Sequence, residues 1–126
     1  MSGNHSRRKG RDGEAELVRL LRQALGVAAQ RNLEQVRSGG FDIAILGLAI
    51  EVKRRSSVTP GPVAGWWRQA IAQADRAGLC PVLAWRADRQ QWTMRLPPVA
   101  LRPEVLGELV ADLPMDSFLA LLGSGW

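Results

Sequence analysis

The chain has 126 residues, enough for one domain with a single core. Hydrophobic residues make up 46% and charged residues 23%, a balance that excludes an intrinsically disordered chain. The net charge of +5 comes from arginine, since Lys9 and Lys53 are the only lysines, and a guanidinium-rich surface suits phosphate groups such as those of DNA or RNA.

Cys80 is the sole cysteine, which excludes an intrachain disulfide and points to a reducing cytoplasm. With one cysteine and one histidine (His5), a structural zinc site is excluded as well. No stretch approaches the roughly 18 consecutive apolar residues of a membrane span, and the basic N-terminus lacks the apolar segment of a secretory signal. A soluble, cytoplasmic protein without a membrane partner is expected.

Residues 1–11 are polar and basic (Arg7, Arg8, Lys9, Arg11) and read as a flexible arm. A helix is expected from Asp12 or Gly13 to about Gly26 as its C-cap, with Leu17, Val18, Leu21, Ala24, Leu25 and Ala28 forming an apolar stripe. A short strand is plausible over Leu33–Arg37, broken by Ser38-Gly39-Gly40. Phe41–Arg54 then reads as two β-branched runs around Gly47, which predicts a hairpin. A Pro/Gly loop over Ser56–Pro62 leads to a helix from about Val63 to Ala77, closed by Gly78. Strands are expected over Pro81–Trp85 and Gln91–Leu96. Past the prolines at 97, 98 and 103, Glu104–Leu122 reads as one or two short helices. The main domain therefore covers 12–98, and 99–126 is a helical extension of it. The order is that of a mixed α/β domain.

The hairpin carries the chemistry. A turn centred on Leu46-Gly47 places Ile43 opposite Ile50, Ala44 opposite Ala49, and Asp42 opposite Glu51. Side chains alternate faces, so Phe41, Ile43, Ile45, Leu48, Ile50 and Val52 form an apolar face. The other face carries Asp42, Ala44, Ala49, Glu51 and Lys53. Two carboxylates about 5 Å apart at their Cα atoms repel one another and call for a cation, while the alanines leave room for one. A divalent ion taking carboxylate, phosphate and water oxygens meets that need. Lys53 points to the same side, placed to hold an attacking water or to offset phosphate charge. The same letters could mark a solvated sheet face, but the cross-strand match and the paired alanines favour a site.

At these residues the sequence resembles the PD-(D/E)XK nuclease superfamily, and within it the archaeal-type Holliday-junction resolvases and related phage endonucleases. The matching text is RRKGRDGEAELVRLL, RSGGFDIAI, AIEVKRR and PVLAWR, over roughly residues 7–86. Phe41 departs from the pattern, standing where the family name has proline. The resemblance implies a restriction-endonuclease-like αβββαβ core with a mixed central sheet flanked by helices. It also implies Mg²⁺-dependent phosphodiester hydrolysis, with Mn²⁺ able to substitute. Asp42, Glu51 and the Val52 carbonyl become the metal ligands and Lys53 the catalytic lysine.

The resemblance further implies an acid on the first helix, and helix phasing separates two candidates. At about 100° per residue, Glu14 falls within roughly 30° of the centre of the stripe of Leu17, Val18, Leu21 and Leu25, whereas Glu16 lies nearly opposite. Glu14 is therefore chosen as a metal ligand or water-orienting group. On the second helix Trp67, Val63, Ala70, Ile71 and Ala74 read as core, and Trp66, Gln69 and Gln73 form a stripe that could face the site. Gln69 is taken as a site residue, with Gln73 as the alternative. Trp85 and Trp92 read as packing residues.

Arg7, Arg8, Lys9, Arg11, Arg37, Arg54 and Arg55 are expected to contact DNA phosphates. The reading is a metal-dependent endonuclease of branched DNA in phage or mobile-element recombination. It would act as a homodimer, with Glu104–Leu122 available as contact surface. The alternatives are a nuclease of duplex or single-stranded DNA in repair or restriction, and a non-catalytic DNA-binding protein on the same fold.

Overall fold

The computed structural model describes residues 3–25, 33–36, 40–97 and 110–123. The expected C-cap at Gly26, the candidate phosphate contact Arg37 and the first part of the expected C-terminal helices lie outside them, as does the Arg7 side chain. Helix α1 spans Gly3–Ala24 and is followed by strands β1 (Glu34–Gln35), β2 (Ile43–Ile45) and β3 (Leu48–Arg55). Helix α2 (Pro60–Ala77) leads to β4 (Cys80–Ala87), β5 (Thr93–Leu96), β6 (Ala111–Pro114) and helix α3 (Met115–Gly123). The strands form one mixed sheet in the order β1-β2-β3-β4-β5-β6. Among the described strands only β3 and β4 pair in parallel, joined by the α2 crossover. This is the expected α/β architecture, an αβββαβ core with a mixed sheet flanked by helices.

Three expectations change. The first helix starts at Gly3 rather than near Asp12, so Lys9 and Arg11 stand on a helix and not in an irregular arm. Tertiary contact outweighs the low propensity of Gly3, Gly10 and Gly13, because Lys9 Nζ donates to both Asp88 carboxylate oxygens at 2.9 Å and to Ser56 Oγ at 3.1 Å. Helix α2 starts at Pro60, since proline in a first turn loses no intrahelical hydrogen bond. Within the stretch read as helical, Ala111–Pro114 is a strand pairing antiparallel with β5. Its position at the sheet edge tolerates Pro114, which has no N–H to donate.

The hairpin forms in the expected register, with Ile43 opposite Ile50, Ala44 opposite Ala49 and Ile45 opposite Leu48. Leu46 and Gly47 both have positive φ (50° and 80°), the backbone of a two-residue turn whose twist matches the strands it joins. Ile43, Ile45, Leu48, Ile50 and Val52 pack on Leu17, Val18, Leu21 and Leu25 of α1. Met115, Phe118 and Leu122 of α3 enter the same core. The apolar side of α3 is therefore used within the chain, while 104–109 of the expected dimer surface lie outside the described residues.

On the opposite sheet face, α2 covers β3 and β4 through Val63, Ala70 and Leu83 in one cluster and Ala49 and Ala74 in another. Phe41 joins this side rather than the α1 face assigned to it. Ile71, expected in the core, is 43% exposed.

Helix α1 lies unusually close to β3 at Gly13, where an added Cβ would come within 2.6 Å of Arg54 Cβ. Gly13→Ala is expected to lower stability by about 1–3 kcal/mol through forced separation of helix and strand. Denaturant unfolding at constant m-value checks this, and Gly61→Ala, where nothing lies within 4 Å, is the mild control.

Candidate active site

The ladder between β2 and β3 ends at Ile43–Ile50, and the next residue back in the chain is Asp42. Its N–H donates to the Ile50 carbonyl at 3.0 Å, one residue out of the hairpin register, an offset with the character of a β-bulge. Its own carbonyl accepts from Val36 N–H at 2.9 Å, so the backbone is held from both sides. This offset re-aims the side chains at the hairpin's open end. Phe41 swings to the α2 side, and Asp42 Oδ2 accepts the Val52 N–H at 2.8 Å. Asp42 is thus oriented by the strand that carries Glu51 and Lys53.

Glu51 is 5% exposed, and its Oε2 has no hydrogen-bond partner. Burial pushes its pKa from the ordinary 4.5 up to about 8, reinforced by the adjacent Asp42 charge and by a hydrogen bond shared with Asp42. Lys53 pulls the other way, but its Nζ stands 3.6 Å from Glu51 Oε1, too far for a hydrogen bond of full strength. A buried, proton-holding carboxyl beside a second carboxylate is a place where a cation can replace the proton.

An open cleft of about 440 Å³ is lined by Gly10, Arg11 and Glu14 of α1, by Asp42, and by Glu51, Val52, Lys53 and Arg55 of β3. The structure therefore brings Glu14, Asp42, Glu51, Val52 and Lys53 to one cleft. Glu14 Oε1 accepts from Gln35 Nε2 at 3.2 Å, a contact the two-residue strand β1 gave no sequence signal for. Glu16 is not turned to solvent as its phasing suggested. It takes two bonds from Arg86 (2.6 and 2.9 Å) and one from Trp92 Nε1 at 2.9 Å, tying α1 to β4 and to the residue before β5.

The two alanines serve packing rather than a metal: Ala49 is buried under Ala74 and Phe41, with Ala44 beside them. Gln69 is exposed and does not line the cleft. The buried face of α2 is Val63, Ala70, Gln73 and Ala74, and Gln69 falls one step of about 100° to the side of Ala70. Gln73 is the glutamine that turns inward, against Gly40.

The basic residues divide sharply. Lys9 and Arg54 both bind Asp88, at 2.9 and 2.5 Å, and hold its carboxyl below the usual range. Arg54 also points to the α1 face, because side chains alternate along β3. Neither is presented to a substrate in the cleft. Arg11 and Arg55 do line it, and the Arg55 guanidinium lies 5.4 Å over the Trp66 ring. Arg8 is exposed on the neighbouring turn of α1.

Among the described residues, no group of three or more His, Cys, Asp or Glu could hold a metal by itself. The orphaned Glu51 Oε2 and the Asp42 carboxylate fit one divalent cation whose remaining ligands are water, phosphate or carbonyl oxygens. Burial pushes the pKa of the Cys80 thiol up. No described helix is long and apolar enough to cross a membrane.

Comparison with known proteins gives a family model described as "phage putative PDDEXK endonuclease", which matches residues 5–115. No curated protein matches. Among solved structures, an Archaeoglobus fulgidus Holliday junction resolvase aligns at 21% identity and a TM-score of 0.47, covering 91% of this chain and 89% of its own.

The Glu51 shift has a signed consequence. Its folded pKa of about 8 exceeds 4.5, so the folded state holds a proton that the unfolded chain releases. Without a cation, stability falls as pH rises from about 4.5 to about 8. Glu51→Gln is expected to flatten that slope. Added Mg²⁺ should raise the melting temperature of the unmodified chain more at pH 8.5 than at pH 6, and leave Glu51→Gln unmoved. Thermal unfolding across pH with and without Mg²⁺ checks both.

Proposed function

The chain belongs to the phage PDDEXK endonuclease family, and we propose on that basis that it is a Mg²⁺-dependent endodeoxyribonuclease acting on branched DNA. The observation that carries the reading is the pairing of Asp42 with the buried Glu51, whose Oε2 has no partner, beside Lys53. Asp42 and Glu51 would hold the ion together with the Val52 carbonyl, and Glu14, on the α1 wall of the same cleft, would orient water there. A divalent ion bound there compensates charge on the phosphate and acidifies water.

The remaining chemistry belongs to the side chains. Lys53 donates to the attacking water or to a non-bridging phosphate oxygen, within reach of both because it stands two residues beyond Glu51 on the same strand. The water oxygen attacks phosphorus as its proton passes to solvent, the opposite P–O ester bond breaks, and the leaving alkoxide takes a proton from solvent water. Asp42 keeps its orientation through the Val52 N–H, so the site is preorganised before DNA arrives. Arg55 adds positive charge at the cleft wall, steadied by Trp66. Mn²⁺ is expected to substitute for Mg²⁺.

The preference for branched DNA, and a role in phage or mobile-element recombination, rest on the resemblance of the sequence motifs to junction resolvases. A homodimer follows from the two-fold symmetry of a four-way junction. Labelled four-way junction, flap, duplex and single-stranded DNA, each with Mg²⁺ or EDTA, test the whole reading. Junction should be cut fastest, EDTA should abolish cleavage, and Lys53→Ala and Asp42→Asn should each slow it by about 100-fold or more. Undiminished cleavage by both variants would overturn the site. Faster cutting of duplex or single strands would replace the junction preference, and salt-sensitive binding without cleavage would mark a DNA-binding scaffold.

A further inference from the structure

We propose that the flank of α1 facing β1 is a binding track for the DNA phosphodiester backbone outside the cleft, with Arg19 as its principal contact. This rests on the reading of the chain as a DNA nuclease. Arg8, Arg11, Arg19 and Arg22 are all exposed, and at about 100° per residue they fall in one stripe roughly 80° wide. Arg11 lines the catalytic cleft, and Arg19 and Arg22 line an open groove with Ala15, Val18, Gln23 and Gln35. The two hollows meet at the Glu14–Gln35 hydrogen bond, since Glu14 lines the first and Gln35 the second. From Arg11 to Arg22 the helix rises about 17 Å, a length over which each strand of a duplex presents about five phosphates.

Charge pairing distinguishes Arg8, Arg11 and Arg19 from the cations that fasten the fold. Lys9, Arg54, Arg86 and Arg95 are each bound to a carboxylate, so a phosphate would have to displace that partner. Among the described residues no ion pair engages Arg8, Arg11 or Arg19. Among the described residues that line the groove there is no carboxylate. Such guanidiniums exchange small counterions for phosphates, which makes binding strong at low salt and steeply salt-dependent. The stripe lies across the sheet from α2, so substrate bound along it runs past the cleft on the α1 side.

The test measures binding of a labelled duplex in EDTA by fluorescence anisotropy over a salt series. Arg19→Ala is expected to weaken binding about 3- to 10-fold and to reduce the slope of log Kd against log salt by about one. Arg19→Lys should restore most of the affinity. The melting temperature of Arg19→Ala should match that of the unmodified protein, because the residue is exposed and outside the cleft. Arg76→Ala, the same charge change on the exposed side of α2, should bind within about twofold of the unmodified protein. Arg19→Ala with unchanged affinity and slope would overturn the track, as would an equal loss in Arg76→Ala, which would show net charge alone at work. An unmodified protein that binds duplex but cuts no substrate ends the nuclease reading while Arg19 still decides the track. Failure of the unmodified protein to bind DNA at all overturns both.

Discussion

Two carboxyl groups sit side by side where a hydrophobic hairpin opens, one buried and the other tied to the neighbouring strand through the Val52 N–H. Keeping them together costs free energy, since both desolvation and mutual repulsion disfavour ionised Glu51. The surrounding structure supplies what offsets that cost. Each fully buried Leu or Ile on the α1 face of the hairpin contributes about 1.5–3 kcal/mol, and several lie directly behind the site. A divalent cation bound between them would offset that repulsion.

Placing α1 across the cleft depends on a second polar arrangement. Asp88, in the turn after β4, gathers Lys9 from α1 and Arg54 from β3. Glu16 gathers Arg86 and the Trp92 indole. Between them these acids fix the helix against the sheet at two levels, while Gly13 permits close approach. Glu14, two residues from Glu16, is thereby placed on the cleft that Asp42, Glu51 and Lys53 also line. Charged residues that read as phosphate contacts or solvent-facing acids are instead the fasteners that set the site's geometry.

The site was largely legible because its core is a strand pair, and strand pairing obeys a period of two. The turn glycine set the register, the register set the faces, and Glu51 and Lys53 followed. Helix phasing chose Glu14, which does line the cleft, although Glu16 is occupied by partners rather than solvent. Where several elements converge, periodicity failed. Phe41 and the alanines were assigned by alternation alone, but the offset at Asp42 turns Phe41 over, and α2 takes the space the alanines leave. Gln69 falls outside the cleft because the buried face of α2, which takes Gln73 instead, is set by the sheet beneath it.

The sequence by itself determined the hairpin, its apolar face, the pairing of two acids with a lysine and the α/β order, because each depends on residues near in sequence and on a fixed backbone period. The D…ExK text around the hairpin also pointed to the PDDEXK family to which the chain belongs. Tertiary structure decided the rest. It set the orientation of Asp42 by a hydrogen bond from the neighbouring strand, raised the proton affinity of Glu51 by burial, and chose which arginines are paired and which remain open to phosphate. Those properties are sums over groups brought together from distant parts of the chain, such as Lys9 with Asp88, and no local pattern encodes them.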